Sequence, residues 1–216
     1  MKKSDETRAR ILAAALDLFR SQGFEATTMR QVAAAAGMAI GATYYYFDSK
    51  DAIVLAFYHQ AQQDMEPLLD RALAETKDLK ERLRRLLDVK LAYFAPSRDL
   101  LGALSAHANP AHPLSPFSDQ TQDIREEDVR FFDRALSESR TAVADDLKPY
   151  LPRLLWLYQM GLILFWTFDR SPGQRKTLAL IDQSLQIVVR LIKLSSLPLM
   201  RPLRRIVVDL AATVME

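Results

Sequence analysis

The chain has 216 residues, 49% hydrophobic and 26% charged, with a formal net charge of +2, which excludes a disordered chain and allows one small domain plus one larger one. So small an excess of positive charge does not mark the whole chain as a nucleic-acid binder, and any such surface must be local. With no cysteine, a disulfide framework, a thiolate metal site and a cysteine nucleophile are all excluded, and the composition fits a reducing, cytoplasmic setting.

Residues 1–50 carry seven Lys and Arg against five Asp and Glu, a weak local excess. The N-terminal MKKSDETRARI has no apolar segment after its charges, so no secretory signal is expected. The most apolar run, Leu154 to Phe168, contains Gln159 and Gly161 and falls short of the ~20 residues of a membrane helix. It reads as a buried helix.

In chain order, Ser4 or Asp5 can cap a first helix whose Ile11, Ala15, Leu18 and Phe19 share one face, widened by Leu12 and Leu16. Gly23 suits the left-handed residue that ends a helix, and Phe24 can fold back over it. Thr28 followed three residues later by Gln31 is a capping-box pattern, so a second helix begins there with Val32 and Ala33 facing inward. The run Ala33 to Ala36 is all small, and Gly37 can redirect the chain into a third helix from about Ala39 to Tyr46. Two short helices with glycine at the break match the helix-turn-helix signature, whose second helix enters the DNA major groove. Asp48 or Ser49 caps a fourth helix bearing Ile53, Leu55, Phe57 and Tyr58, expected to stop near Met65 because Pro67 follows.

Beyond Pro67 the pattern is helical throughout, with no strand-like alternation. Leu79, Leu83, Leu86, Leu87 and Phe94 form a stripe that Pro96 ends. Residues 107–118, HANPAHPLSPFS, hold three prolines and read as the longest loop. Helices are expected over about 119–139, 145–169 and 174–194, the second opening on Asp145-Asp146 as caps. After Pro198 a last amphipathic helix has Leu203, Ile206, Val207, Leu210 and Val214 on one stripe, with Arg201, Arg204 and Arg205 near its start. That helix either packs on the bundle with its arginines solvated or lies on an anionic membrane surface. Packing is the reading taken here, and no membrane partner is expected. The fold class is all-α, an N-terminal three-helix domain containing the helix-turn-helix (residues 1–50) followed by a helical bundle (51–216).

Several chemistries find no support. His107 and His112 lie five apart near Asp119, a spacing that matches no established ligand motif, so no metal is expected. A Gly-rich phosphate loop, a nucleophile elbow and a cysteine nucleophile are all missing, so neither an enzyme nor a cofactor is expected.

Residues 7–57 resemble the DNA-binding domain of the tetracycline-repressor (TetR) family. The likeness rests on Ala15 to Phe19, Gly23-Phe24, Thr27-Thr28, Val32-Ala33, Gly37, the stretch GATYYYF from Gly41 to Phe47, and Ser49-Lys50. It covers about a quarter of the chain, and the rest agrees only in being helical and of suitable length. The resemblance implies a homodimeric, ligand-responsive regulator of transcription, usually a repressor that binds double-stranded DNA at a palindromic operator and is released by a small molecule. It assigns Thr28, Tyr44, Tyr45 and Lys50 to DNA phosphates. Base reading falls to Met29, Arg30, Ala39, Ile40 and Gly41. Ala39 and Ile40 stand where the family often has a polar residue, and apolar groups contact a thymine methyl but cannot select guanine or adenine by paired hydrogen bonds. Arg30 is then either a guanine reader or a phosphate clamp.

The family pairs through its late helices, which nominates Trp156, Leu162, Phe165, Leu185, Val188 and Ile192 for the dimer interface. A mostly apolar pocket could draw on Tyr93, Phe94, Leu101, Phe131, Phe132, Tyr158, Gln159, Met160 and Trp166, favouring a small hydrophobic ligand. The competing reading is an all-helical protein that binds a hydrophobic ligand or a membrane surface and keeps the small domain as a remnant.

Overall fold

A computed structural model describes residues 2–215, with side chains over 4–213, so Val214 of the last stripe lies outside the described side chains. The α-helices are α1 (Lys2–Gln22), α2 (Met29–Ala35), α3 (Ile40–Tyr46), α4 (Lys50–Ala74), α5 (Leu79–Phe94), α6 (Arg98–Leu104), α7 (Gln122–Ser137), α8 (Leu151–Phe168), α9 (Arg175–Ser195) and α10 (Arg201–Met215). There is no strand among the described residues. The helices form two compact units, residues 1–64 with 93–125 and residues 65–92 with 126–216, the division falling within α4 and α5.

In the first unit Ile11, Ala15 and Phe19 of α1, Val32 of α2 and Phe47 just after α3 share one core with Ile53, Val54 and Phe57 of α4. Leu100 and Leu104 of α6 and Leu114 of the following loop complete it. Arg20 of α1 donates from Nε to Ser97 Oγ at 3.1 Å, fastening α1 to the residue that precedes α6. The stretch 107–118 is irregular, as expected, yet it is closed by its own hydroxyls. Ser115 Oγ donates to the Ala108 carbonyl at 3.0 Å, Ser118 Oγ to that of Pro113 at 2.9 Å, and Thr121 Oγ1 to that of Ser115 at 2.7 Å. His107 and His112 stack at 4.0 Å between ring centres, facing Glu25 and Asp51 respectively.

Two element boundaries depart from the sequence expectation. α4 runs through Pro67 to Ala74. An internal proline removes one helical hydrogen bond and costs ~3 kcal/mol, but the last two turns bury Leu69, Ala72 and Leu73, and apolar side chains contribute roughly 1.5–3 kcal/mol each when buried. The longer helix therefore wins. α8 starts at Leu151, not near Asp145: Tyr150 occupies the cap position and Pro152 the first turn, where a missing N–H costs nothing. Asp145 and Asp146 are instead ion-paired, with Lys148 at 2.6 Å and with Arg204 of α10 at 2.7 Å. The end of α10 also differs from the packed stripe expected. Ala211 is buried, whereas Leu203, Ile206, Val207 and Leu210 are exposed.

The second unit is drawn around Arg82 of α5, a guanidinium with no exposed surface. Its Nε donates to the Ala135 carbonyl at 3.1 Å, Nη1 to those of Leu73 and Thr76 at 2.6 and 2.8 Å, and Nη2 to that of Arg134 at 2.9 Å and to Glu138 at 2.7 Å. Those carbonyls belong to the C-terminal ends of α4 and α7 or the residues just beyond, where helical acceptors run out of partners. One side chain thus caps two helices. Replacing Arg82 by Met should lower the unfolding free energy by about 3 kcal/mol, since stranded buried acceptors and a lost buried ion pair each cost in that range. Arg82→Lys should recover little, because an ammonium cannot reach five acceptors at fixed angles. Urea unfolding followed by circular dichroism reads both, and a loss below about 1 kcal/mol for Arg82→Met would contradict the two-helix clamp.

Between α8 and α9, Asp169 accepts from the backbone N–H of Ser171 and of Thr177, both at 2.9 Å, and from Thr177 Oγ1 at 2.7 Å. Burial pushes its carboxyl upward, but the hydrogen bonds from Ser171 and Thr177 outweigh that and hold it well below the usual carboxylate range. A depressed folded pKa means that the group stabilises the fold above its unfolded value of about 3.9 and loses that contribution as pH falls through the folded value. Asp169→Asn should therefore lower the melting temperature at pH 7, with the gap from wild type closing in melts taken progressively below about pH 4.

A candidate nucleic-acid interface

Thr28 is exposed at the N-terminus of α2, and the expected capping box is formed. Its Oγ1 accepts from the Gln31 N–H at 3.3 Å, while Gln31 Oε1 accepts from the Thr28 N–H at 2.8 Å. The turn after α2 is closed by Gly37 at φ +65°, a conformation that costs glycine little. Gly37 donates to the Ala34 carbonyl at 3.0 Å and Met38 to that of Ala33 at 2.9 Å, the paired hydrogen bonds of a Schellman ending. Thr43 is then wholly buried and fixes the inner face of α3. Its neighbours are forced outward: Tyr44 is 48% exposed, Tyr45 83% and Ile40 40%. Ala39 caps α3 without a side-chain hydrogen bond, and Gly41 is exposed with open space where a Cβ would stand.

Two assigned residues, Met29 and Lys50, read differently in three dimensions. Met29 is buried in the head core at 8% exposure, because it lies on the same helical face as Val32, Ala33 and Ala36. It is not available to a base edge. Lys50 is half-buried, and its Nζ donates to the Phe24 carbonyl at 2.7 Å over the Phe24 ring, so it also ties α4 to the turn between α1 and α2. Arg30 is exposed, with no hydrogen-bond or ion-pair partner among the described residues. Arg8, which the sequence did not single out, sits with its guanidinium 4.8 Å from the centre of the Phe47 ring, beside the end of α3. An arginine on the polar face of α1 gives no periodic signal, so only the fold brings it forward. Thr28, Arg30, Ala39, Ile40, Gly41, Tyr44 and Tyr45 are all exposed on one compact unit. They offer hydroxyls, one unpaired cation and an apolar tip, a set suited to phosphate contacts and a thymine methyl.

Residues 11–57 match the family model for bacterial regulatory proteins of the tetR family, and residues 82–212 match that of the tetracyclin repressor-like C-terminal domain. The chain belongs to the TetR family. The curated relatives that it matches are HTH-type transcriptional regulators. The HTH-type transcriptional regulator SrpR of Pseudomonas putida is 38% identical over 64 residues, 30% of this chain and 30% of that protein. The chain thus spans about a third of the length of such curated relatives. Among solved structures, the TetR transcriptional regulator of Nitrosomonas europaea aligns with a TM-score of 0.63 at 18% identity, covering 83% of this chain and 96% of that one. Thermus thermophilus FadR, a TetR-family repressor in complex with lauroyl-CoA, aligns with a TM-score of 0.57 at 25% identity, covering 81% and 92%.

Within this TetR-family bundle, Trp156, Leu162, Leu185 and Ile192 are buried inside the single chain. They are core positions, not surface that a partner could cover, whereas Phe165 is exposed and Val188 half-buried. The exposed apolar residues lie beside them on the outer face: Leu157, Leu164 and Phe168 of α8, and Ile187, Leu191 and Leu194 of α9. The alternation of two apolar faces on one helix is what hid the difference, since periodicity cannot say which face is covered by the same chain. Of the pocket candidates, Tyr93, Phe94 and Leu101 fall in the first unit and Phe131, Phe132, Tyr158, Gln159, Met160 and Trp166 in the second. Tyr93 donates to Asp64 at 2.7 Å and Phe94 packs edge-on to Phe57 at 5.9 Å. Tyr158 pairs with Ser184 of α9 at 2.6 Å. Phe131, Phe132, Gln159 and Trp166 are buried, and Leu101 and Met160 are half-buried. No helix among the described residues is long and apolar enough to cross a membrane.

Tyr45→Ala should weaken DNA binding by about tenfold, the scale of one hydrogen bond to a charged group, while leaving the melting temperature unchanged. Arg30→Ala should lower the slope of log affinity against log salt by about 1 if it clamps phosphate, or relax selectivity at one base pair if it reads guanine. Fluorescence anisotropy at several salt concentrations separates these. Unchanged affinity in both variants would place the interface elsewhere.

Proposed function

We propose that the chain is a homodimeric repressor that binds a palindromic operator and is released by a small hydrophobic ligand. Residues 1–50 serve as the DNA-binding domain and residues 51–216 as the ligand-binding and dimerisation domain. Thr28, Tyr44 and Tyr45 hold phosphates, Lys50 does so while bracing the head, and Arg30, Ala39, Ile40 and Gly41 face the bases. The observation that carries the dimer is the row of exposed apolar side chains on α8 and α9, because monomeric proteins rarely leave contiguous apolar patches of several helical turns in water. A second copy satisfies that face on both chains at once, and two-fold pairing is the commonest closed symmetry. Two recognition helices would then meet successive major grooves about 34–36 Å apart.

Release follows if a ligand binds better to a dimer whose head separation no longer fits the operator. The ligand shifts the population only by its difference in affinity for the two states. α4 and α5 are covalent routes for that shift, since each contributes residues to both compact units. The complex of Thermus thermophilus FadR with lauroyl-CoA, whose acyl chain is apolar, supports a ligand with an apolar part for this chain as well.

Selection of bound DNA from a random double-stranded pool should return an inverted repeat. Light scattering should give about twice the 24.6 kDa chain mass, and the double substitution Leu164→Glu with Leu191→Glu should return a monomer that binds a single half-site weakly. A monomeric wild-type protein, or an enriched site with no symmetry, would overturn the homodimer.

A further inference from the structure

Among the described residues of the second unit, two buried side-chain atoms have no partner, Arg85 Nε and Gln159 Oε1, and only the second belongs to a side chain that is itself buried. Gln159 of α8 is 1% exposed, and its Nε2 donates to Asp128 Oδ2 of α7 at 3.1 Å, while its Oε1 accepts nothing. The other oxygen of Asp128 accepts from Lys90 Nζ of α5 at 2.5 Å, and that ammonium is 2% exposed. Three helices thus contribute one polar cluster to an otherwise apolar interior. One helical turn from these residues stand Leu86 and Leu87 on α5, Phe131 and Phe132 on α7, and Leu155 and Trp156 on α8, all buried.

An amide carbonyl left unpaired in such surroundings costs roughly 1–3 kcal/mol. Rotating the amide would not relieve it. Its oxygen would then face the Asp128 carboxylate, acceptor against acceptor, and two N–H donors would be stranded instead. Asp128 therefore fixes the side chain with its carbonyl turned away from the ion pair. A group that fits this environment must donate a hydrogen bond to Gln159 while the rest of the molecule meets apolar side chains, which suits a hydroxyl on an apolar ligand. The pair Lys90–Asp128 is neutral as a unit, so a second full negative charge brought beside it would be desolvated without a free counter-charge.

We propose that Gln159, oriented by the Lys90–Asp128 pair, is the hydrogen-bonding anchor of the ligand site in the second unit, and that its ligand is an uncharged apolar molecule bearing a hydroxyl. This rests on the reading that residues 51–216 bind a hydrophobic ligand, and it narrows that class by excluding carboxylates at the anchored end.

The test titrates the full-length protein with 1-decanol, with decyl methyl ether and with decanoate, followed by the fluorescence of Trp156 and Trp166, the two tryptophans of the chain. The alcohol should bind about tenfold more tightly than the ether, which accepts but cannot donate, and than decanoate, the scale of one buried hydrogen bond. Gln159→Leu, with its fold checked by circular dichroism, should bind alcohol and ether alike, and the wild-type comparison stands even if that variant does not fold. Equal binding of the three probes overturns the anchor while leaving the ligand-binding reading intact, and is what a buried water on Gln159 would produce. A preference for the ether or for decanoate, or a preference for the alcohol that survives in folded Gln159→Leu, also overturns it. Binding of none of the three removes the ligand-binding reading and the anchor with it.

Discussion

The left-handed turn at Gly37 is the constraint on which the exposed surface of α2 and α3 depends. α2 and α3 are seven residues each, too short to be stable helices in isolation, so their relative placement has to come from the turn and from burial. Gly37 and Met38 close α2 with two hydrogen bonds back into its last turn, and Met38 then packs against the head core. With the turn fixed, Thr43 lands at a wholly buried position and donates to the Ala39 carbonyl at 3.3 Å. Once Thr43 points inward, the 100° step of the helix leaves Tyr44 and Tyr45 no choice but to point out. A side chain at position 37 would strain that backbone, and every exposed residue of α3 would change its direction with it.

Local rules made this head readable before any fold was known. The capping box at Thr28 and Gln31, the glycine endings at Gly23 and Gly37 and the stripe Ile11, Ala15 and Phe19 are all set by neighbours within one or two turns. What could not be read depends on distant chain. Nothing in the sequence near Pro67 reveals that Leu69 and Leu73 will find an apolar interior to bury in, so α4 looked as if it should stop. Met29 looked like a base-facing residue at the start of α2, and only the packing of α2 on α1 turns it inward. For α8 and α9 the apolar residues cover more than one face. Trp156 and Leu185 line the interior of their own chain while Leu164 and Leu191 face out, a distinction that needs the positions of the other helices. Asp145 and Asp146 looked like caps because acidic residues favour helix starts, yet Lys148 and Arg204 claim them.

The reading surface is unusual in its chemistry. Ile40 and Gly41 begin α3 after Ala39, so the part of the helix that would approach base edges carries no side-chain donor or acceptor until Tyr44, Thr43 being turned inward. If it reads DNA as proposed, such a surface leans on thymine methyl contacts, on Arg30 from α2 and on the shape and stiffness of the DNA. Groups able to contact phosphate are better represented: hydroxyls on Thr28, Tyr44 and Tyr45, with Arg8 near the end of α3. Under the proposed function, such a domain would gain register from backbone contacts and discriminate at few positions, so a paired second copy would matter for selecting a site.

The second unit contrasts two ways of placing charge in an apolar interior. Arg82 is wholly buried, and its guanidinium is surrounded by four carbonyls and a carboxylate, so its donors answer acceptors that two helix ends would otherwise leave exposed to apolar surroundings. Its burial follows from structural need. Lys90 and Asp128 answer no such need, since both sit in helix interiors whose backbone groups are already paired. A buried ion pair of this kind is weak evidence for stability, because apolar residues of the same volume would often serve as well or better. Its visible effect is to hold Gln159 in one orientation with a carbonyl to spare. A cluster that adds little stability and fixes one unpaired acceptor is arranged as recognition sites are, where polar groups are few and rigidly set among apolar walls.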